Sequence, residues 1–408
     1  MAANYSAIEA RVRDLHHYVP AGAAHALKPV VILLHGLGGD HDDWRDPFQE
    51  RNWPYDHECD PDEVDLGVHS KPPIARLPGI ETRLFLSPQL KSNRRGADGS
   101  DDRSWWHALS QAEFPLVTYS QVPRLMMPLS AGPVAEFKQV MEMLQRDVLQ
   151  TPEYRARPVV IVGHSRGGLI GRAYLGDAEV KADARAHPDG GRFPDVAGLI
   201  TISSPHQGSN MALLDDKVIG FLSKVQDVVP TLPNDVGNKV IDSLKAKVDA
   251  YVGAYGDEIE PRSPMFRALE AQEPIRDGVR CLSIGGTSPR LLRLYLWTFT
   301  GDSMIPKRNA AGKLEFHWRA RPIEAKGASP VPDGLPLKLL GMDLDEVMPG
   351  RGDGLTADKR CRFPATFRGT VHLSFPLSHA EELWDRKLQA AVVEQLNTFR
   401  GGSHPRDL

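Results

Sequence analysis

The chain has 408 residues, of which 41% are apolar and 25% are charged, the balance of an ordinary globular protein. Its formal net charge is −4, whereas nucleic-acid binders carry a basic patch or stripe, so we expect no nucleic-acid partner. No apolar run approaches the roughly 20 residues needed to span a bilayer, and the N-terminus lacks the apolar stretch of a signal peptide. We therefore expect a cytoplasmic protein without a transmembrane segment.

Three cysteines, Cys59, Cys281 and Cys361, are widely spaced along the sequence. Their spacing matches no metal-binding motif, and their odd number leaves at least one unpaired. We interpret them as reduced thiols, with a single disulfide as the alternative. The sequence predicts no metal and no other cofactor.

Apolar runs of strand length recur along the chain, with helical patterns between them. Continuous apolar runs are typical of strands that are covered on both faces of a sheet. The alternation of strand and helix predicts a mostly parallel central sheet flanked by helices, an α/β fold. The predicted strands are Val30–Leu34, Leu116–Tyr119, Pro158–Val162, Ala197–Ile202 and Val279–Ile284. One predicted helix begins at Pro133, and another covers Leu169–Leu175.

We expect residues 1–408 to form a single domain with two long interruptions. Residues 41–113 are rich in Asp, Pro, Arg and Trp, and predict an insertion rather than an independent domain. Its tryptophans either pack the insertion onto the domain, the favoured interpretation, or line a substrate entrance. These tryptophans are Trp44, Trp53, Trp105 and Trp106.

The second interruption covers residues 209–275 and contains two apolar stripes at helical spacing, over 218–229 and 240–252. Such stripes predict amphipathic helices that fold over the edge of the sheet as a cap. A mobile lid and a permanently packed cap are equally compatible with this pattern.

The stretch Gly163-His164-Ser165-Arg166-Gly167 lies between a predicted strand and a predicted helix. A tight strand-to-helix turn at this place lifts a serine oxygen above the sheet, which makes Ser165 a candidate nucleophile. The helix that follows presents backbone N–H groups toward developing negative charge. A glycine-rich turn whose serine merely caps the helix is the alternative.

An oxyanion hole requires one N–H from the residue after the nucleophile and a second from the loop after an early strand. Arg166 would supply the first, and Leu37, in His35-Gly36-Leu37-Gly38-Gly39, would supply the second. The glycines would let that loop approach a substrate closely. A phosphate-binding loop is disfavoured, because the Lys-Ser/Thr end of a P-loop is missing.

These two motifs and Ser204-Pro205-His206-Gln207-Gly208 resemble stretches of the α/β-hydrolase fold, and more narrowly of bacterial triacylglycerol lipases and esterases. The resemblance runs from about residue 30 to the C-terminus and is tight only at the motifs. It implies a serine hydrolase. It also implies that His35, Gly36, His164 and His206 shape the wall of the substrate site.

In this fold the acid and the histidine follow the serine in that order. The family's acid commonly lies in a D-G-L-V motif, which Asp353-Gly354-Leu355-Thr356 nearly reproduces; Asp302 is the alternative. The family keeps its base between the last strand and the last helix. His379 lies there, before a helix built on Leu383–Phe399, whereas His372 falls within the predicted strand over 369–375.

Some lipases of this type bind a structural calcium ion near the catalytic histidine. The resemblance would place Glu381 and, with a poorer match, Asp333 among the ligands. Calcium needs several oxygen ligands, and no such set can be assembled from the sequence. The simpler interpretation of Glu381 is an acidic residue in the first turn of a helix, where the helix dipole favours it.

Together these features predict a carboxylic-ester hydrolase that acts on small-molecule or lipid esters through an acyl-enzyme on Ser165, with His379 as base and Asp353 as orienting acid. An acyltransferase with the same triad and a short-chain esterase with a fixed cap are the alternatives. A binding module without activity is disfavoured, since serine, acid and histidine are all present in the expected order.

Overall fold

The computed structural model describes a large part of the chain, and the described residues contain two β-sheets. It describes residues 5–21, 28–37, 39–47, 64–69, 82–86, 100, 103–121, 129, 132–155, 157–187, 191–210, 256–272, 275, 278–289, 294–299, 305–324, 345–367 and 369–399. For 64–69, 82–86, 256–257, 294–299 and 318–324 it describes the backbone only.

The described residues contain twelve strands, numbered here in chain order. They are β1 (His16–Tyr18), β2 (Val30–Leu34), β3 (Val64–His69), β4 (Thr82–Leu86), β5 (Leu116–Thr118), β6 (Val159–His164), β7 (Val196–Ile202), β8 (Arg280–Gly286), β9 (Leu294–Phe299), β10 (Pro306–Arg308), β11 (Leu314–Glu324) and β12 (Val371–Phe375).

A seven-stranded sheet in the order β1-β5-β2-β6-β7-β8-β12 forms the centre of the fold. Its neighbours are parallel, except that the edge strand β1 pairs antiparallel with β5. Every residue of β2 and β6 is buried. This burial explains why both strands appear in the sequence as continuous apolar runs. The predicted parallel sheet is confirmed, and each predicted strand of the sequence overlaps one of its strands.

The described helices lie largely between these strands. They are α1 (Ser6–Glu9), α2 (Asp42–Arg45), α3 (Trp105–Gln111), α4 (Pro133–Leu144), α5 (Arg166–Gly176), α6 (Ala178–Ala186), α7 (Gly256–Ile259), α8 (Pro264–Ala271), α9 (Asp358–Cys361) and α10 (Arg386–Leu396). Two hydrophobic clusters contain buried residues of the central strands, and α4 and α5 contribute to one of them while α3 and α10 contribute to the other.

Two predicted helices differ from the structure, one in the geometry of its last turn and the other in where it begins. The helix that begins at Pro133 continues past Leu144 as a π-helical turn over Gln145–Leu149. The last helix begins only at Arg386, because the carboxylate of Asp385 accepts the N–H of Leu388 at 2.8 Å and caps it.

A second sheet, which the sequence analysis did not predict, joins two distant segments of the chain. Its order is β10-β11-β9-β4, and β3 also pairs with β11. All of these pairings are antiparallel. Strands β3 and β4 come from the predicted insertion at 41–113, so this insertion contributes to a sheet whose other strands lie at 294–324.

Three of the four tryptophans singled out in the sequence are buried in the core. Trp44 and Trp105 meet edge to face with ring centroids 5.9 Å apart, and Trp106 belongs to the same hydrophobic cluster. Their burial favours packing over a role at a substrate entrance. Trp53 lies outside the described residues.

The stripes over 218–229 and 240–252 that predict a cap lie outside the described residues. Within 209–275 the structure describes α7 and α8, which follow those stripes. None of the helices in the described ranges has the length and apolarity to cross a bilayer. Cys281 and Cys361 are buried and not in disulfides, whereas Cys59 lies outside the described part.

Candidate active site

The candidate nucleophile Ser165 lies at the junction of β6 and α5. Its backbone has φ 52° and ψ −124°, a left-handed conformation that costs a non-glycine residue of order 1–3 kcal/mol. Its N–H donates to the carbonyl of Ile202 at 2.7 Å, which ties the turn to the end of β7. The turn is therefore the strained strand-to-helix elbow that the sequence predicts.

Glycines make this elbow possible. A Cβ atom on Gly163 would collide with the backbone of Gly167 and Gly168, and one on Gly167 would collide with the backbone of Leu34 and His35. The elbow thus packs directly against the end of β2, where the candidate oxyanion loop begins.

The loop after β2 reaches the elbow through Gly36. A Cβ atom there would lie 3.0 Å from the Cβ of Ser165 and 3.2 Å from Nδ1 of His164. The next residue, Leu37, is the predicted second oxyanion donor. A side chain at position 36 would crowd the nucleophile, which explains the glycine.

His35 holds this loop in place with both ring nitrogens. Its Nδ1 lies 2.8 Å from the carbonyl oxygen of Gly36, and its Nε2 accepts the N–H of Gln121 at 2.9 Å. Since Nε2 accepts, the proton must be on Nδ1, which fixes the neutral tautomer. Burial lowers the pKa of His35 to about 4, against a weaker opposing effect of the Gly36 carbonyl. The ring therefore stays neutral at physiological pH.

The candidate acid Asp353 is buried in a tight turn. Its Oδ1 accepts the backbone N–H groups of Leu355 at 2.8 Å and of Thr356 at 2.6 Å. Gly354 in this turn has φ 100°, a conformation that favours glycine. The D-G-L-T sequence is thus explained locally, as a turn that holds a carboxylate in one orientation.

The structure brings His379 and Asp353 together. Nδ1 of His379 lies 2.8 Å from Oδ2 of Asp353, and the backbone N–H of His379 donates to the Asp353 carbonyl at 3.0 Å. A proton on Nδ1 faces the carboxylate, so Nε2 is the nitrogen that can take up a proton. This is the arrangement a general base requires.

His164, the residue before Ser165, packs against the candidate base. The two imidazole rings are 4.6 Å apart between centroids, and Nε2 of His164 lies 3.2 Å from the His379 carbonyl oxygen. Complete burial and, secondarily, the charge of His379 lower the pKa of His164 well below its usual range. A neutral His164 therefore lines the interior behind His379.

Arg166, the other predicted oxyanion donor, joins the elbow to two more segments. Its guanidinium lies 3.7 Å from Oε2 of Glu258 in α7, and Oε1 of Glu258 accepts the N–H of Leu129 at 2.6 Å. Burial raises the pKa of Glu258, and Arg166 and Leu129 oppose this. Arg166 thus has a carboxylate partner within residues 209–275, after the two apolar stripes that predict the cap.

His206 makes its described contacts within the core. Its Nε2 lies 2.9 Å from Thr201 Oγ1, its ring stacks on Phe363 at 4.1 Å, and its carbonyl accepts from Arg172 at 2.8 Å. These contacts account for the buried ring. Its predicted place in the wall of the substrate site stays a prediction.

The alternative candidates are placed differently. His372 lies on β12 with Nδ1 2.8 Å from Ser283 Oγ and Nε2 3.0 Å from Asp358 Oδ1, so both nitrogens face other partners. Asp302 lies outside the described residues. The contacts of His372 favour His379 as the base.

Two groups of described side chains bring three potential metal ligands within 4.8 Å of one another: His164, His379 and Glu382, and Asp40, His41 and Asp42. The first group contains the candidate base. In the second, both ring nitrogens of His41 already face Ser120 and Asp42. Of the calcium candidates, Glu381 accepts the N–H of Ser378 at 3.0 Å, and Asp333 lies outside the described residues.

Sequence reasoning missed Gln121 and Glu382. Gln121 follows β5 and holds His35, and Glu382 follows His379 by three residues in a short 3-10 turn. The only signal for either was its position after a predicted element or residue, which does not distinguish it from an ordinary polar side chain.

Residues 134–259 match a family model described as a PGAP1-like alpha/beta domain. No curated protein sequence matches the chain.

Solved structures similar to this chain include a Bacillus licheniformis lipase, BlEst2 in mature form, with 13% identity, TM-score 0.41, and coverage of 94% of this chain and 97% of that one. The product of gene lin2722 from Listeria innocua has 12% identity, TM-score 0.39, and coverage of 92% and 96%. Esterase B from Lactobacillus rhamnosis, inhibited by a C4-C4 tributyrin phosphonate, has 13% identity, TM-score 0.36, and coverage of 94% and 79%.

The chain has an α/β-hydrolase fold. The parallel sheet order, the strained elbow after β6 and the family match over the central segment agree on this assignment.

Proposed function

We propose that this protein is a serine carboxylic-ester hydrolase, lipase-like in its motifs, that acts through an acyl-enzyme on Ser165. The observations that carry the proposal are the His379–Asp353 hydrogen bond of 2.8 Å and the strained elbow that holds Ser165 at φ 52°. The three residues occur in the order that the fold requires.

In the proposed reaction, Nε2 of His379 takes the proton of Ser165 as Oγ attacks the ester carbonyl. Asp353 holds the imidazole and stabilises its charged form. The backbone N–H groups of Leu37 and Arg166 stabilise the oxyanion, at roughly 3 kcal/mol per donor. His379 then gives its proton to the departing alcohol, and water, activated in the same way, releases the acid and restores Ser165.

A neutral His35 supports this mechanism. Its pKa of about 4 keeps it from adding positive charge, and its contacts with Gly36 and Gln121 fix the loop whose N–H group faces the oxyanion. Preorganised donors act without reorganisation at the moment of reaction, which is the source of most of their effect.

The test is hydrolysis of p-nitrophenyl esters from acetate to palmitate by the wild type, by Ser165→Ala and by Ser283→Ala as a matched control. We expect Ser165→Ala to lower kcat by roughly a millionfold, and the control to behave as wild type. A maximum at long chains identifies a lipase, and a maximum at short chains identifies an esterase.

Activity that survives Ser165→Ala would contradict the mechanism. Acyl transfer, the alternative, is tested by adding an alcohol acceptor to the same assay. Release of the acyl group mainly as a new ester, rather than as free acid, would replace hydrolysis by transfer while keeping the same triad.

A further inference from the structure

The carboxyl group of Glu258 joins segments that are far apart in the sequence. Its Oε1 accepts the N–H of Leu129 at 2.6 Å, and its Oε2 lies 3.7 Å from the guanidinium of Arg166. Both oxygens thus face donors, as the ionised form of a carboxyl group requires. The side chain of Glu258 is 16% exposed and that of Arg166 is 9% exposed, so water and salt screen this pair less than they screen a surface ion pair.

The backbone around Glu258 is also held in place. Its carbonyl accepts the hydroxyl of Ser263 at 2.6 Å, and the carbonyl of Ile259 accepts the N–H of Ser209 at 2.8 Å. Ser263 in turn caps α8 by accepting the N–H of Phe266, and Phe266 belongs to the hydrophobic cluster that contains buried residues of α5. The carboxylate of Glu258 is therefore presented to Arg166 from a fixed position.

Arg166 occupies an electrostatically unfavourable position. It is the first residue of α5, whose first turn contains no acidic residue and whose N-cap residue, Ser165, makes no capping hydrogen bond with its side chain. The N-terminus of a helix carries partial positive charge, so a cation there is destabilising and a carboxylate nearby is stabilising. The ion pair with Glu258 offsets the charge of Arg166 from another element of the chain, α7.

We propose that Glu258 is a positioning residue that holds the first turn of α5 through its ion pair with the Arg166 side chain, and so orients the Arg166 backbone N–H toward the oxyanion. The inference rests on the proposed function, in which this N–H is one of the two oxyanion donors. A donor that is held in place before the reaction stabilises the oxyanion without reorganisation. A side chain that acts in this way contributes to the transition state and little to substrate binding.

Removing either charge of the pair distinguishes positioning from a direct charge effect on the oxyanion. Glu258→Gln leaves excess positive charge beside the first turn of α5, and Arg166→Gln leaves excess negative charge, while the backbone N–H of residue 166 is kept in both. A direct charge effect would move kcat in opposite directions in the two variants. Positioning predicts that both variants lower kcat for p-nitrophenyl butyrate by about tenfold, less than the roughly 10²–10³-fold loss that follows removal of a whole oxyanion donor.

Two further measurements on Glu258→Gln separate positioning from a merely structural role. We expect KM to stay within about twofold of wild type, since the oxyanion forms only in the transition state. Butylboronic acid forms a tetrahedral adduct with a serine, and its Ki should rise by the factor by which kcat/KM falls. A structural role, in which part of the enzyme is unfolded, would lower kcat and leave Ki unchanged.

A double variant and a matched control complete the experiment. The double variant of Glu258→Gln and Arg166→Gln should lose no more kcat than the worse single variant, because both substitutions remove the same contact. Glu260→Gln makes the same chemical change at an exposed position two residues further along the chain. It should keep kcat and Ki within about twofold of wild type, as surface substitutions generally do.

Wild-type kcat in folded Glu258→Gln, opposite changes of kcat in the two single variants, or a lower kcat with an unchanged Ki would overturn the proposal. If Glu258→Gln does not fold, Glu258→Asp decides, because it keeps the charge and shortens the reach to Arg166. A lower kcat with a higher Ki in Glu258→Asp supports positioning, and wild-type values refute it. Failure of the proposed function is distinguishable, because it appears as hydrolysis by Ser165→Ala, whereas failure of this inference leaves Ser165→Ala inactive.

Discussion

Two histidine–aspartate pairs lie close together in the sequence and have nearly the same geometry. His379 meets Asp353 at 2.8 Å, and His372 meets Asp358 at 3.0 Å. The second pair even has its own serine, since Ser283 Oγ lies 2.8 Å from His372 Nδ1. By residue type and hydrogen bonding alone, the second cluster looks more complete than the first.

The difference lies in the backbone around each serine. Ser283 is 1% exposed in the middle of β8, paired in register with Thr201 of β7 and His372 of β12. Backbone N–H groups inside a parallel ladder are used by neighbouring strands and cannot face an oxyanion. The Ser283 cluster therefore stabilises the sheet.

Ser165 has the opposite setting. It stands where β6 ends and α5 begins, with a left-handed backbone and a glycine loop against it. The carboxyl ends of parallel strands are where α/β proteins bind their ligands. A hydrogen-bonded Ser, His and Asp set is thus a weak indicator of chemistry, and its position relative to a strand end is a strong one.

The largest expected contrast comes from the two histidines. We expect His379→Gln to lower kcat by roughly a millionfold, as loss of a triad base does. His372→Gln should keep kcat/KM within about threefold, but lower the free energy of unfolding by about 1–2 kcal/mol, because two hydrogen bonds of about 1 kcal/mol each are affected. Steady-state ester hydrolysis and urea unfolding measure the two effects.

The opposite result would contradict this assignment of the two histidines. If His372→Gln abolished hydrolysis in a folded protein while His379→Gln did not, the base would belong to the β12 cluster. The mechanism would then need a nucleophile other than Ser165.

The two aspartates give the next contrast. Asp353→Asn should lower kcat roughly 10⁴-fold, because an amide there leaves the histidine in the wrong tautomer. Asp358→Asn should change kcat by less than about threefold, since its partners His372 and Ser374 lie at the sheet edge. The measurement is kcat at saturating p-nitrophenyl butyrate, with circular dichroism as a check on folding.

The local parts of the fold and the site were predictable from the sequence. The buried strands appear as apolar runs, the elbow at Ser165 as glycines between strand and helix, and the acid turn at Asp353 as D-G-L-T. Each of these signals lies within about ten consecutive residues, where backbone geometry and residue type are directly linked. The roles of Ser165, Asp353 and His379 remain predictions, although the hydrogen bond between the last two supports them.

The parts that were missed depend on contacts between distant segments. Strands β3 and β4 are short and pair with residues more than 200 positions away. No pattern within a short stretch of sequence predicts such a pairing. The hydrogen bond from Gln121 to His35 and the contacts of Glu382 with His164 and Ser203 are of the same kind. Burial and partner decide what these polar residues do, and neither is visible in the sequence.

The smallest expected effect comes from Ser283→Ala. Hydrolysis should be unchanged, while the free energy of unfolding should fall by about 1 kcal/mol, because His372 Nδ1 loses its partner in a partly buried position. In the double variant with His372→Gln, the loss should be smaller than the sum of the single losses, since both remove the same hydrogen bond. Full additivity would mean that Ser283 and His372 stabilise the sheet independently. Loss of hydrolysis in Ser283→Ala would mean that the Ser283–His372 cluster cannot be separated from the catalytic residues in function.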